Sequence, residues 1–155
     1  MPLTVTPRHP ALGAEVRGID MRKPMDPATA RAVRDAWTRH LVLIFPDQPI
    51  TDQEHVAFTR HFGEPEIFHQ TSLHLRSDDV KEIFLVSNVD ARNRIVMPSD
   101  PGQKQLNSSR QWHTDSSYKT LPSIGSLLHG IEISRTGGIT QFINMYMVYD
   151  ELPEP

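Results

Sequence analysis

The sequence predicts a mainly β domain with flanking helices, and three observations carry that reading. Short alternating or continuously apolar segments recur along the chain, each bounded by glycine or proline. Only two stretches in the first half show helical periodicity, and both open on a clear N-cap. The Gly137-Gly138 pair sits between two strand-like segments, as a hairpin turn would.

The elements follow in order. Leu3 to Thr6 alternates as a short strand, and Gly13 to Gly18 suggests a second one closed at both ends by glycine. Asp26-Pro27 pairs an N-capping acid with proline at the first helical position. Ala30, Val33, Ala36, Trp37 and Leu41 then recur at helical spacing, giving one apolar face through about residue 40. Leu41 to Phe45 reads as a buried strand stopped by Pro46. Thr51 and Glu54 form a capping box, opening a helix with His55, Phe58 and Phe62 on one side and Gly63 at its end. Residues 65–81 are polar and irregular, and Ile83 to Val86 is a short apolar strand. Residues 87–110 read as a long loop, a length that favours a functional lid. Gly125 to Ile133 and Ile139 to Ile143 read as the two strands of an antiparallel hairpin, and Met145 to Glu151 as the start of a helix.

Composition narrows the chemistry. At 155 residues the chain is one domain's worth, with 37% hydrophobic residues and a formal charge of −3. That charge argues against nucleic acid or an anionic membrane as the main partner. No apolar run approaches membrane-spanning length, and Met1 to Val5 lacks the basic start of a secretory leader. A soluble cytoplasmic protein is the expectation. With no cysteine, any metal site must draw on His, Asp or Glu.

Gln111 to Tyr118 contains the pattern on which function turns. On a strand, positions i and i+2 share a face, so His113 and Asp115 are expected to reach one pocket while Thr114 points away. An imidazole and a carboxylate so placed form two members of a 2-His-1-carboxylate facial triad, which leaves positions open for substrate and oxygen. The bare spacing is weak. With 8 His and 19 Asp+Glu in the chain, chance alone yields about one His-x-acid pattern, and a surface histidine beside an acid is the plain alternative.

The flanking blocks add what spacing lacks. Gly13-Ala14-Glu15-Val16-Arg17-Gly18-Ile19-Asp20, His40 to Gln48 with Ile50-Thr51, Phe62-Gly63-Glu64, Trp112 to Asp115, and Ser134 to Thr140 run in order along nearly the whole chain. Together they resemble the taurine/alpha-ketoglutarate dioxygenase family, whose other branch degrades 2,4-dichlorophenoxyacetate. The resemblance implies a double-stranded β-helix (jelly-roll) fold, here only its N-terminal part, and an oxidoreductase using Fe(II), 2-oxoglutarate and O2. Such an enzyme hydroxylates a small organic substrate and releases succinate and CO2. His113 and Asp115 would be two iron ligands, with His113 neutral and Asp115 ionised. Thr140 would hydrogen-bond a 2-oxoglutarate carboxylate, and Trp112 would pack beside the site.

Departures from the family pattern bear on substrate. Ser109 stands where the taurine enzymes carry a substrate-touching Asn, and Phe68 where they carry a His, with His69 one step late. These argue against taurine and for another small organic anion, with Ser109, Phe68 and His69 as the candidate contacts. Ile139 replaces the acid of the family's Gly-Gly-Asp-Thr turn, while Thr140 is kept. The resemblance also implies that the distal iron histidine and the 2-oxoglutarate arginine belong to a C-terminal part beyond Pro155, so that this chain alone would be weak or inactive. His129 and the remaining histidines are third-ligand candidates by type only. Two other readings stay open: a non-catalytic jelly-roll remnant binding a metabolite or a partner, and a metal-dependent hydrolase. Exposed strand edges on such a remnant would favour homo-oligomerisation.

Overall fold

The computed structural model describes residues 2–67, 80–89, 94–97 and 111–154. The chain divides into two compact units, Met1–Gly63 with His129–Pro155, and Glu64–Leu128.

The first unit is built on a three-stranded mixed sheet. Strand β1 (Thr4–Pro7) pairs antiparallel with β2 (Ala14–Arg17), with Thr4 opposite Arg17 and Pro7 opposite Ala14. Strand β2 pairs in parallel with β3 (Leu43–Ile44), Ala14 opposite Leu43. A parallel neighbour requires a crossover connection, and helix α1 (Pro27–His40) provides it. Alternation along β2 sorts its side chains: Ala14 and Val16 are buried, while Glu15 on the other face pairs with Arg8 and Arg17. Gly18 follows with φ +86°, and a Cβ there would fall onto the Pro2 carbonyl, so glycine is required by both conformation and space.

Helix α1 begins as its sequence dictates. Asp26 accepts from the backbone N–H groups of Ala28 and Thr29 at 2.9 and 3.0 Å, with Pro27 inside the first turn. Val33 and Ala36 are its buried residues. Leu41 caps the helix with φ +64°, and this departure from extended backbone narrows the expected Leu41–Phe45 strand to the two residues of β3. Helix α2 (Asp52–Thr59) carries the full capping box: Glu54 N–H donates to Thr51 Oγ1 at 3.2 Å, and Thr51 N–H to Glu54 Oε2 at 2.7 Å. The helix ends at Thr59 rather than at Gly63, because the N–H groups of His61 and Phe62 bond back to the Phe58 and Thr59 carbonyls in tighter turns.

The core lies where these elements meet. Ala14, Val16, Met21, Val33, Ala36, Val56, Phe58 and Phe62 are buried in this unit. Phe58 meets Phe45 and Phe62 edge-on, with centroids 5.6 and 5.4 Å apart, and Trp37 meets Phe62 in the same manner. Two residues of the family-like blocks are structural braces. Arg22 grips Asp20 through two nitrogens at 2.8 and 3.0 Å, holding that carboxyl well below the usual carboxylate range. Gln48 accepts from Met21 N–H at 3.0 Å and donates to the Ile19 and Pro46 carbonyls at 3.1 and 3.2 Å.

His55 sets a pH dependence. It lies half-buried on α2 with the His129 ring edge-on at 6.0 Å. Burial first, and His129 second, push its pKa below the ordinary 6.5, against the pull of Asp52. A histidine that resists protonation in the folded state binds fewer protons there than in the unfolded chain, so folding stability is intact above about pH 6.5 and declines as pH falls below it. Urea midpoints at pH 7.5 and 5.5 are expected to separate more for the native chain than for His55→Gln; equal separations would remove His55 as the cause.

The second half of the chain departs from the expected strands. Helix α3 (Met145–Asp150) forms, capped by Asn144, whose Nδ2 also donates to the Ala11 carbonyl at 2.7 Å. Residues 83–86, 111–118, 125–133 and 139–143 form no strand. A strand is completed only by a neighbour that takes its N–H and C=O groups, and none is aligned with these segments among the described residues. Their side chains are correspondingly bare: Leu128, Ile131, Ile133, Ile139 and Phe142 are all exposed. The turn itself survives, since Gly137 and Gly138 both adopt positive φ, +75° and +66°. Part of the expected long loop is tied by an antiparallel bridge between Val89 and Ile95. The described regular structure is therefore a small mixed sheet with helices. Among the described residues no helix is long and apolar enough to cross a membrane.

Candidate functional site

His113 and Asp115 meet, though not by the geometry their spacing suggested. The backbone is irregular through Thr114 and turns over Asp115 to Tyr118, with Ser116 at φ +55° and Lys119 N–H closing onto the Ser116 carbonyl at 3.0 Å. That turn, rather than strand alternation, brings His113 Nε2 to 3.3 Å from Asp115 Oδ1. The other atoms of the pair are already engaged. His113 Nδ1 lies 2.7 Å from the Gln111 carbonyl, which can only accept, so Nδ1 carries the proton in that bond. Ser126 Oγ donates to Asp115 Oδ2 at 2.7 Å.

This arrangement has a chemical consequence. With Nδ1 donating, the neutral ring presents its lone pair at Nε2, facing a carboxylate oxygen. Two lone pairs at that distance require a proton or a cation between them. A nitrogen and an oxygen donor suit a transition metal such as Fe(II), for which the imidazole's second nitrogen is ordinarily fixed by a carbonyl or carboxylate. At 3.3 Å the two donor atoms are close enough that both could hold one cation. Both side chains are about half open to solvent, so the site can be reached.

The remaining candidates are placed as follows. Thr140 belongs to the first unit, exposed just beyond the Gly137-Gly138 turn. Ser109, Phe68 and His69 lie outside the described residues, as does His74. Trp112 is exposed rather than packed. No group of three or more His, Asp or Glu able to hold a metal occurs among the described residues. His9 and His61 instead accept from the Ala11 and Met25 N–H groups, and His129 faces His55. Sequence reasoning missed Ser126, eleven residues from its partner with no local signal to mark it.

The sequence model of the Taurine catabolism dioxygenase TauD, TfdA family matches residues 4–155. The chain belongs to this family. A (S)-phenoxypropionate/alpha-ketoglutarate-dioxygenase of Sphingobium herbicidovorans is 30% identical over 152 residues, covering 97% of this chain and 48% of that protein. An alpha-ketoglutarate-dependent sulfate ester dioxygenase of Pseudomonas putida is 32% identical over 154 residues, covering 99% of this chain and 45% of that protein. The crystal structure of AAD-2 in complex with Mn(II) and N-oxalylglycine superposes with a TM-score of 0.64 at 30% identity, over 79% of this chain and 39% of that one. The chain spans about half the length of the relatives it matches. The TauD, TfdA match runs through both His113-Thr114-Asp115 and Thr140, so the spacing that was weak by frequency stands in a TauD, TfdA context.

Proposed function

We propose that this chain contributes to an Fe(II)- and 2-oxoglutarate-dependent dioxygenase that hydroxylates a small organic anion, and that residues 1–155 are the N-terminal part of one jelly-roll domain. The observation that carries the reading is the placement of His113, with Nδ1 2.7 Å from the Gln111 carbonyl and Nε2 facing Asp115 Oδ1 at 3.3 Å. Family membership supports the cofactor set, as do relatives named for alpha-ketoglutarate and a similar structure holding Mn(II) and N-oxalylglycine. Phenoxypropionate and sulfate esters are both anions, which supports that substrate class. The exposed apolar segments between residues 125 and 143 support a domain in which further strands cover them. A net charge of −3 without cysteine supports a cytoplasmic enzyme that acts on small molecules rather than nucleic acid.

In this reading His113 and Asp115 hold the iron, and a third ligand comes from outside the described residues. Bound iron and 2-oxoglutarate supply the oxidative chemistry; the protein supplies donors, orientation and exclusion of water. Gln111 fixes the ring of His113 through Nδ1, and Ser126 bonds Asp115 Oδ2, so that Asp115 Oδ1 and His113 Nε2 would be the atoms left to hold the metal. The Thr140 hydroxyl bonds a 2-oxoglutarate carboxylate, a role that rests on its match to the family pattern, and Ser109, Phe68 and His69, which stand at or beside positions where that pattern carries other substrate-touching residues, contact substrate. The test is formation of succinate from 2-oxoglutarate by the full-length gene product with phenoxyalkanoate and alkyl sulfate substrates. Iron-dependent succinate release coupled to substrate loss is expected, and turnover without added iron after chelation would overturn the reading.

A further inference from the structure

We propose that Glu66 is a positioning residue for the His113–Asp115 site, stapling the turn that follows Asp115. The inference rests on the reading of that pair as metal ligands. Glu66 Oε1 accepts from Ser123 Oγ at 2.6 Å and from Ser116 Oγ at 3.3 Å, and Oε2 accepts from Lys119 Nζ at 2.8 Å. The two serine oxygens are 3.0 Å apart, and with one proton each, Ser123 donates to Glu66 while Ser116 is free to donate to Glu66 or Ser123. A single carboxylate thus gathers three side chains spread over eight residues, from a position 50 residues upstream of the first.

What those side chains hold is the backbone beside the metal donors. Ser116 adjoins Asp115 and sits at φ +55°, a left-handed conformation that a non-glycine residue keeps only where its surroundings over-determine it. Glu66 and Ser123 fix its hydroxyl, and Lys119 fixes the far end of the turn. Three residues past Ser123, Ser126 bonds Asp115 Oδ2 directly. The Glu66 carboxylate is suited to this work, being held below its ordinary pKa by the Lys119 ammonium and the Ser123 hydroxyl, so it stays an acceptor throughout the neutral range. Without it, the turn loses the carboxylate that, among the described residues, ties Ser116, Lys119 and Ser123 together, and Asp115 is expected to sample positions away from His113 Nε2.

Mn(II) affinity of the full chain, read from the free-Mn(II) electron paramagnetic resonance signal, tests this for the native protein, Glu66→Ala, Ser123→Ala and His113→Ala. Glu66→Ala is expected to weaken binding by about 10-fold, the low end of the range for losing a partner bonded directly to a ligand, because Glu66 acts through the turn and not on His113 or Asp115 itself, with the unfolding midpoint of the first unit unchanged. Ser123→Ala is expected to weaken it by a smaller factor, and decides the matter should Glu66→Ala fail to fold. Native affinity in Glu66→Ala or, failing that, in Ser123→Ala, beside a lost affinity in His113→Ala, would overturn the role of Glu66 alone. Native affinity in His113→Ala would overturn the metal reading itself, and this inference with it.

Discussion

Phe58→Ala is expected to lower folding stability by about 3–5 kcal/mol, the usual cost of emptying a buried aromatic position. The Phe58 side chain is 2% exposed and belongs to an edge-to-face cluster with Phe45 and Phe62, beside the His61 ring. Truncation removes the transfer free energy of the ring, leaves a cavity lined by two other aromatics, and forfeits pair contacts worth about 0.5–1.5 kcal/mol each. The neighbours cannot close over the gap freely. Phe62 is held from outside by the Arg34 guanidinium, which lies over its ring and donates to its carbonyl at 2.6 Å, and Phe45 is followed directly by Pro46. Against a typical total of about 5–15 kcal/mol, the loss is a large share of what holds the sheet and helices together. Urea unfolding followed by Trp37 fluorescence measures it; a midpoint near that of the native chain would show that the aromatic cluster is not the main support of this unit.

His113→Ala is expected to have the opposite profile, a large functional loss with little change in stability. The imidazole is about half exposed and its bonds are local, so folding should move by no more than about 0.5 kcal/mol, as for surface substitutions generally. Its Nε2 is nonetheless one of the two donors that meet at the candidate site, where the described residues add no third. On the proposed role of His113 as an iron ligand, its removal should weaken Fe(II) binding by more than the roughly 10–100-fold that an outer-shell partner costs, and abolish 2-oxoglutarate turnover in the full-length gene product. Asp115→Asn separates charge from shape, because the amide keeps an oxygen for Ser126 Oγ but lacks the anionic donor. Metal content after dialysis, compared with the thermal midpoint of the same samples, distinguishes loss of ligand from loss of fold. Retained iron in both variants would remove the pair from the metal site.

How far the sequence could be read depended on the range of the interactions involved. Asp26 capping α1, and Thr51 with Glu54 capping α2, are bonds made within three residues, and the motifs that predict them contain every participant. Strand β2 was legible for the same reason, since the glycines that bound it, Gly13 and Gly18, lie within the segment itself. Residues 125–133 and 139–143 failed as strands because their β-forming side chains do not themselves supply a partner edge. The glycine turn between them is local, and its two positive φ angles appear as expected. At the candidate site the meeting of His113 and Asp115 was foreseen from spacing, but through a strand rather than the turn over Asp115 to Tyr118. Glu66 and Ser126 reach that turn from 50 and 11 residues away, and nothing in the local pattern points to either.

Gln48 carries a different kind of exposure. Its side chain accepts at one end, from Met21 N–H, and donates at the other, to the Ile19 and Pro46 carbonyls. Only an amide can do both in that place, since a carboxylate would set its lone pairs against those of two carbonyls. Hydrolysis of that one amide, a change of a single mass unit that leaves the chain's length and nearly its volume intact, would turn a clasp between segments 27 and 29 residues apart into a repulsion. The durability of this part of the fold is thus tied to the chemical ageing of a single side chain.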